Sequence, residues 1–179
     1  LTHAFISIPI PTDVVSVNLQ DRSELHRLIP MIPIHVPIWI RSTVLPGTSD
    51  WLSQSFHRPI YAWPEFLTER TADDDFRRTR AIITGGGEEA ALLLKCVLPD
   101  KGIVGVTNTT AEFVKYTHNT FLALKNVFFN LVKDACDERG YSYDEMSAVI
   151  ARVSSLVGEA HTRVPGADGR RGRVKGNDQ

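Results

Sequence analysis

Two carboxylates four residues apart, Glu65 and Glu69, sit in the stretch PEFLTERTADDDF (64–76) beside Phe66 and Leu67. Two readings are open. On a helix, residues i and i+4 share a face, so the pair would be a mildly repulsive surface feature near an N-terminus that favours acidic groups. In a site, one carboxylate could exchange a proton with a bound water or hydroxyl. A second pair at the same spacing, Lys115 and Asn119, falls among Phe113, Val114 and Phe121. A lysine beside an apolar stripe ordinarily carries its ammonium out to water. Held in place with an amide donor one turn away, it can instead stabilise a developing oxyanion. Ser42 and Thr43, in RSTVLPGT (41–48), follow an apolar strand-like run. Open α/β sheets present ligands there, although such hydroxyls also serve as helix caps.

Three further features carry less. TGGGEEA (84–90) follows a strand and opens a helix, but it lacks G-x-G-x-x-G spacing and a following lysine, and Glu88 and Glu89 would repel phosphate. It reads as a structural turn. The tail RVPGADGRRGRVKG (163–176) holds Arg163, Arg170, Arg171, Arg173 and Lys175, a solvated end or a wrap for a diphosphate. Cys96 and Cys136 are far apart with no C-x-x-C pattern, which argues against a disulfide framework or a metal centre.

These residues need elements to hold them. AFISIPI (4–10) and VPIWI (36–40) read as strands, with RSELHRLI (22–29) a short helix between them that stops at Pro30. SDWLSQSF (49–56) reads as a helix capped by Ser49. AIIT (81–84) and IVGV (103–106) are strands flanking the helix EEAALLLKCVL (88–98). Strands alternating with helices at this spacing predict a parallel α/β layer. Residues 110–139 then change character: Thr109 and Glu112 predict a capping box, Gly140 a stop, and apolar residues recur between them at helical spacing. About 30 residues give a helix of roughly 45 Å, with a stripe broad enough to predict burial on more than one side, part of it at an interface. Ser142 and Glu145 cap a shorter helix to about residue 151, and the chain from Arg163 reads as loop.

The chain has 179 residues, 42% of them hydrophobic and 23% charged, with a net charge of −1, so no global field recruits nucleic acid or an anionic membrane. No apolar run approaches a membrane span and no signal-peptide pattern opens the chain, which predicts a soluble, cytoplasmic protein. The opening LTHAFISIPIPTD, strand-like almost at once, predicts a fragment, or a first strand that pairs with something outside the chain.

In order along the chain, the motifs resemble the UDP-glucose 6-dehydrogenase family of nucleotide-sugar dehydrogenases. FISIPIP is similar to that family's strand ending in a V-x-T-P turn, and RSTVLPGT to its K-S-T-V-x-P-G-T loop. PEFLTERTADDDF resembles N-P-E-F-L-x-E-G-T-A, and AEFVKYTHNTFLALKNVFFN resembles A-E-x-x-K-x-x-x-N-x-F-L-A-x-K-x-x-F-x-N. HTRVPGADGRRG is similar to the approach to its G-F-G-G-x-C loop.

The resemblance implies an incomplete Rossmann-type parallel sheet over 1–108, a central helical domain over 109–160 with one long helix, and a Gly/Arg-rich tail over 161–179. It implies NAD-dependent oxidation of a nucleotide-sugar, UDP-glucose by the style of VPGADGRRG, to the uronic acid. Thr43 would position water or sugar, Glu65 and Glu69 would serve proton transfer, and Lys115 and Asn119 would bracket the reacting oxygen. Phe66, Leu67 and Thr68, with Arg171 and Gly172, would line the substrate, while Ser42, Thr43 and Glu69 would face NAD. The long helix would carry a homodimer contact. The departures imply the alternative of a catalytically silent relative that binds or scaffolds. The dinucleotide fingerprint and the family's C-terminal domain are not in the sequence, and an ungapped count puts Asn177 where the family has its nucleophilic cysteine. Asparagine cannot form the thiohemiacetal of a second oxidation.

Overall fold

The computed structural model describes residues 2–11, 20–158 and 161–164, the Glu69 side chain excepted. In chain order the elements are β1 (Ala4–Ile6), α1 (Ser23–Leu28), β2 (Ile38–Ile40), α2 (Thr48–Phe56) and β3 (Ile60–Ala62). There follow α3 (Ala72–Arg78), β4 (Ala81–Thr84), α4 (Gly87–Val97), β5 (Gly102–Gly105), α5 (Asn108–Arg139) and α6 (Tyr143–Val153). The chain divides into two compact units, one through Thr117 and one from His118 onward, so the boundary falls inside α5.

In the first unit, β1, β2 and β3 lie side by side in that order, all parallel, with Phe5, Trp39 and Tyr61 in register. β4 and β5 form a second parallel pair with Ile82 opposite Ile103, and the Gly85 N–H reaches the Ala62 carbonyl at 2.7 Å between them. Alternation sends Ala4, Ile6, Ile38, Ile40 and Ile60 to one face, where Leu25 and Ile29 from the α1 segment and Leu52 of α2 close a core. Trp39, Tyr61 and Trp63 go to the other face and meet Ala90 and Leu94 of α4. Helices on both faces of a parallel sheet are the α/β layer that the sequence predicts. Each Ile or Leu so buried contributes roughly 1.5–3 kcal/mol relative to exposure.

Several boundaries differ from expectation, for local reasons. β1 stops at Ile6 because the Ile8 N–H turns to the Ser42 hydroxyl (2.9 Å) and Pro9 has no N–H to give a ladder. The α1 segment does not stop at Pro30: a 3-10 turn runs from Ile29 to Met31 with the proline in its first turn, where the missing N–H is not needed. β3 and α3 are not anticipated. β3 is three residues between Pro59 and Pro64, too short for a period to show. α3 declares itself only through charge, Asp73, Asp74 and Asp75 in its first turn and Arg77 and Arg78 in its last.

α5 is 32 residues long, about 48 Å, as its pattern implies. The expected burial of its stripe is overturned within the chain. Phe113, Phe121, Leu124, Phe128 and Leu131 are all more than half exposed, while Ala111, Glu112, Lys115, Phe129, Asn130 and Cys136 are buried. α6 follows Gly140 (φ +68°) and is capped as the sequence predicts, with the Glu145 N–H donating to the Ser142 hydroxyl at 3.2 Å. None of the described helices is long and apolar enough to cross a membrane.

Candidate functional site

The loop after β2 is pinned at three places. The Ser42 hydroxyl accepts from the Ile8 N–H and donates to the Ile8 carbonyl at 2.7 Å, so it is spent on holding two strand ends together. Gln20 donates to the Thr43 carbonyl and the Tyr116 hydroxyl and accepts from the Leu45 N–H at 2.8 Å. The third pin is Glu112.

Glu112 is not half of a capping box. Its two oxygens leave α5 and accept from the Gly47 N–H (2.6 Å) and the Ser49 N–H (2.8 Å) at the start of α2. α2 follows Gly47 at φ +91° and has no side-chain cap of its own, so the expected Ser49 cap is replaced by a carboxylate from a distant helix. The sequence spacing fails because α5 starts at Asn108, and Thr109 donates to Asp50 at 3.1 Å instead. The Thr107 hydroxyl accepts from the Thr110 N–H and serves the local role. Glu112 is 3% exposed. Burial pushes its carboxyl up from the ordinary value, against the downward pull of the hydrogen bonds from Ser49 and Gly47.

One turn on, the Lys115 ammonium does not snorkel. At 7% exposure it donates to the Glu65 carbonyl (2.5 Å), lies 3.4 Å from Glu65 Oε1 and stands 5.4 Å from the centre of the Phe66 ring. The helical reading of Glu65 and Glu69 is overturned. Residues 64–68 are a non-helical loop leaving β3, and Glu69 opens a 3-10 turn (Glu69–Thr71) before α3, so the two do not share a helix face. Glu65 Oε2 accepts from the Leu67 N–H at 2.7 Å, and the Thr68 N–H donates to Asp75, which holds the carboxyl of Asp75 below its usual range.

Thr43, Glu112 and Lys115 therefore meet around a cavity of about 10 Å³, with Ser42 and Pro64 on its wall. That is the room a single water requires. Residues that carry a hydroxyl, a carboxyl and an ammonium thus line one small cavity, a set of types that suits orienting and charging one oxygen atom. A second cavity, of about 250 Å³, lies against Glu65, Phe66 and Leu67 and extends to Arg41, Trp63 and Phe76. Sequence reasoning gives Glu112 only a capping role and assigns no role to Arg41 or Trp63. The Arg41 guanidinium lies 4.1 Å above the Trp63 ring. Burial pushes its pKa down from the ordinary value, and the Glu65 carboxylate pulls it up.

The other expected site residues fare differently. Asn119 is half-buried on α5 in the second unit, its Oδ1 3.3 Å from His118 Nδ1. The Glu69 side chain, Arg171 and Gly172 lie outside the described residues. Two of the three glycines are close-packed: a Cβ on Gly85 would fall 2.1 Å from Asn108 Oδ1, and one on Gly86 2.2 Å from the Tyr61 ring, whereas one on Gly87 would meet nothing within 4 Å. Protein fills the space beside Gly85 and Gly86. Asn108 itself accepts from the Ala62 N–H (2.9 Å) and donates to Asp50 (2.8 Å) and the Ile60 carbonyl.

Residues 109–170 match the model of the UDP-glucose/GDP-mannose dehydrogenase family, central domain. The chain is 34% identical over 119 residues to the UDP-glucose 6-dehydrogenase of Rickettsia conorii, covering 62% of this chain and 28% of that protein. It is 30% identical over 158 residues to that of Rickettsia bellii, covering 80% and 36%. A UDP-glucose dehydrogenase structure from Pyrobaculum islandicum superposes with a TM-score of 0.76 at 26% identity, over 90% of this chain and 41% of that one. The GDP-mannose dehydrogenase structure from Pseudomonas aeruginosa shares the fold, with a TM-score of 0.72. The chain thus spans 28% and 36% of the length of the two Rickettsia relatives. Over residues 109–170 it resembles the central domain of the UDP-glucose/GDP-mannose dehydrogenase family, and over 90% of its length it shares the fold of a UDP-glucose dehydrogenase.

Proposed function

We propose that this chain carries the sugar-facing wall of an NAD-dependent nucleotide-sugar dehydrogenase, with UDP-glucose the substrate that the Rickettsia relatives' name favours. The observation that carries the reading is the Lys115–Glu65 pair set beside Thr43 and Glu112. A buried ammonium is the group that would hold negative charge growing on a sugar oxygen, and Glu65 is the carboxylate within reach of it to hold a proton. Thr43 would orient the same oxygen, and Phe66, Leu67 and Thr68 would line the substrate. Asn119, Glu69, Arg171 and Gly172 keep the roles that the family resemblance gives them. In this reading residues 1–108 are the later part of the NAD-binding domain and 109–160 the central one.

The described residues do not fit the pyrophosphate of NAD. Gly85 and Gly86 are packed against Asn108 and Tyr61, Glu88 and Glu89 follow at the helix start, and the Ser42 hydroxyl is taken up by Ile8. The open face of α5 carries Phe121, Leu124, Phe128 and Leu131 at 3-4-3 spacing, the pattern of a helix seam, and would join two copies of the chain.

A second reading, a relative that binds nucleotide-sugar without turnover, is favoured by the cysteines. Cys96 is exposed on α4 and Cys136 is buried on α5, and neither lines the cavities at Glu65. Incubation with UDP-glucose and NAD+ separates the two. The dehydrogenase forms NADH, and Lys115→Ala abolishes it. Calorimetric binding of UDP-glucose without NADH selects the silent reading, and neither signal overturns both.

A further inference from the structure

Gln20 lies outside every motif that carries the family resemblance, yet it is only 9% exposed and uses both ends of its amide. Its Oε1 accepts from the Leu45 N–H at 2.8 Å, and its Nε2 donates to the Thr43 carbonyl at 3.4 Å and to the Tyr116 hydroxyl at 3.1 Å. The carbonyl of one residue and the N–H of the next but one are the pair that a neighbouring strand takes from an extended chain. Residues 43–45 belong to no helix or strand, and Gln20 supplies that rung from the side. An amide suits the task because it offers an acceptor and two donors on one flat group. The other two pins of the loop fall elsewhere: Ser42 is tied to Ile8, and Glu112 holds Gly47 and Ser49. Gln20 is the pin on Thr43 itself. Its third bond reaches Tyr116, the residue after Lys115 on α5, so one side chain ties the Thr43 backbone to the helix that carries the ammonium. The cavity that Thr43 and Lys115 share is about 10 Å³, and an oxygen held there must meet each partner within roughly 2.7–3.2 Å.

We propose that Gln20 is a positioning residue for the Thr43–Lys115 pocket: it sets the Thr43 backbone against α5 and so fixes the hydroxyl that would orient the sugar oxygen. The role rests on the dehydrogenase reading above and adds to it a side chain that lines neither cavity. Two substitutions separate the bonds from the space they occupy. A carboxylate at position 20 has the same size and still accepts from Leu45, but it cannot donate, and it sets an acceptor against the Thr43 carbonyl. Methionine keeps the length of the side chain and loses all three bonds.

The full chain carrying Gln20→Glu is assayed with UDP-glucose and NAD+. The expected result is a kcat lower by roughly tenfold to a hundredfold with KM within about twofold, the mark of a misplaced group that acts in the transition state. Thr43→Ala, alone and combined with Gln20→Glu, completes a cycle. Because Gln20 acts through Thr43, the double variant is expected to be no slower than Thr43→Ala. Amide hydrogen exchange examines the strap with no ligand present. The Leu45 N–H should be protected in wild type and in Gln20→Glu, and should exchange roughly fivefold or more faster in Gln20→Met. Far-ultraviolet circular dichroism checks the fold of each variant, and should Gln20→Glu unfold, Gln20→Met takes its place in the kinetics. An unchanged kcat in a folded variant, a rise in KM alone, or additive losses in the cycle each overturns the role. Leu45 exchange indifferent to Gln20→Met overturns the strap and the role with it. Wild type that forms no NADH overturns the dehydrogenase reading and the role that rests on it, and a protected Leu45 amide in that protein shows that the reading failed and the strap did not.

Discussion

Between Asn108 and Lys115, α5 buries three polar side chains, Asn108, Glu112 and Lys115, and gives each a hydrogen-bonding partner, whereas between Phe121 and Leu131 it leaves Phe121, Leu124, Phe128 and Leu131 more than half exposed. Asn108, Glu112 and Lys115 are all less than a tenth exposed, and each reaches a backbone group 46 to 65 residues away. They fasten the ends of β3, α2 and the Glu65 loop to one helix start. Among the described residues the later stretch has no such ties. Its one buried amide, Asn130, has neither Oδ1 nor Nδ2 hydrogen-bonded among the described residues. One helix thus holds two kinds of buried polar group. The first kind organises its surroundings, and the second has no hydrogen-bonding partner among the described residues.

That contrast is open to measurement. Glu112→Leu orphans the Gly47 and Ser49 N–H groups and is expected to lower unfolding free energy by about 2–4 kcal/mol in urea titration. A loss under ~0.5 kcal/mol would show that the buried carboxylate fastens nothing. Asn130→Leu should have the opposite sign, a gain of up to about 1 kcal/mol in the same titration, because an unpaired amide is removed from an apolar setting. A clear destabilisation would mean that Asn130 fastens its surroundings just as Glu112 does. The smallest effect on the dilute chain is expected of Leu124→Glu with Leu131→Glu, within about 0.5 kcal/mol, since both side chains are more than 60% exposed. Sedimentation should nevertheless change from dimer to monomer, and wild type that is already monomeric at micromolar concentration would exclude the seam as a dimer contact.

The fold was legible where a pattern ran long enough. AIIT reads as the strand it forms, and the length and stop of α5 follow from its repeat and Gly140. Three-residue strands such as β3 leave no period to read. The candidate site was legible as a set of residue types, because Thr43, Glu65, Phe66, Leu67 and Lys115 all line one of two neighbouring cavities. Its connections were not. Local spacing offers Glu112 a capping role three residues from Thr109, and only the packing of α5 on the start of α2 turns that carboxylate away. The same holds for Glu65 and Glu69, whose i,i+4 spacing has no meaning once the chain there is a loop. Arg41 and Trp63 are 22 positions apart in sequence, and parallel pairing of β2 with β3 is what brings them together.

The meeting of Gly85 with Asn108 has a consequence for how this chain can vary over generations. A methyl group at 85 would also press to 2.7 Å from the Asn108 Cα, so trimming the asparagine side chain alone would not make room. Shortening Asn108 while keeping Gly85 would in turn strip the Ala62 N–H and Asp50 of their partner. Each single change crosses a misfit that the other does not repair. The two positions are therefore expected to be inherited as a pair, and a lineage that loses one should be found to have rebuilt the turn around both.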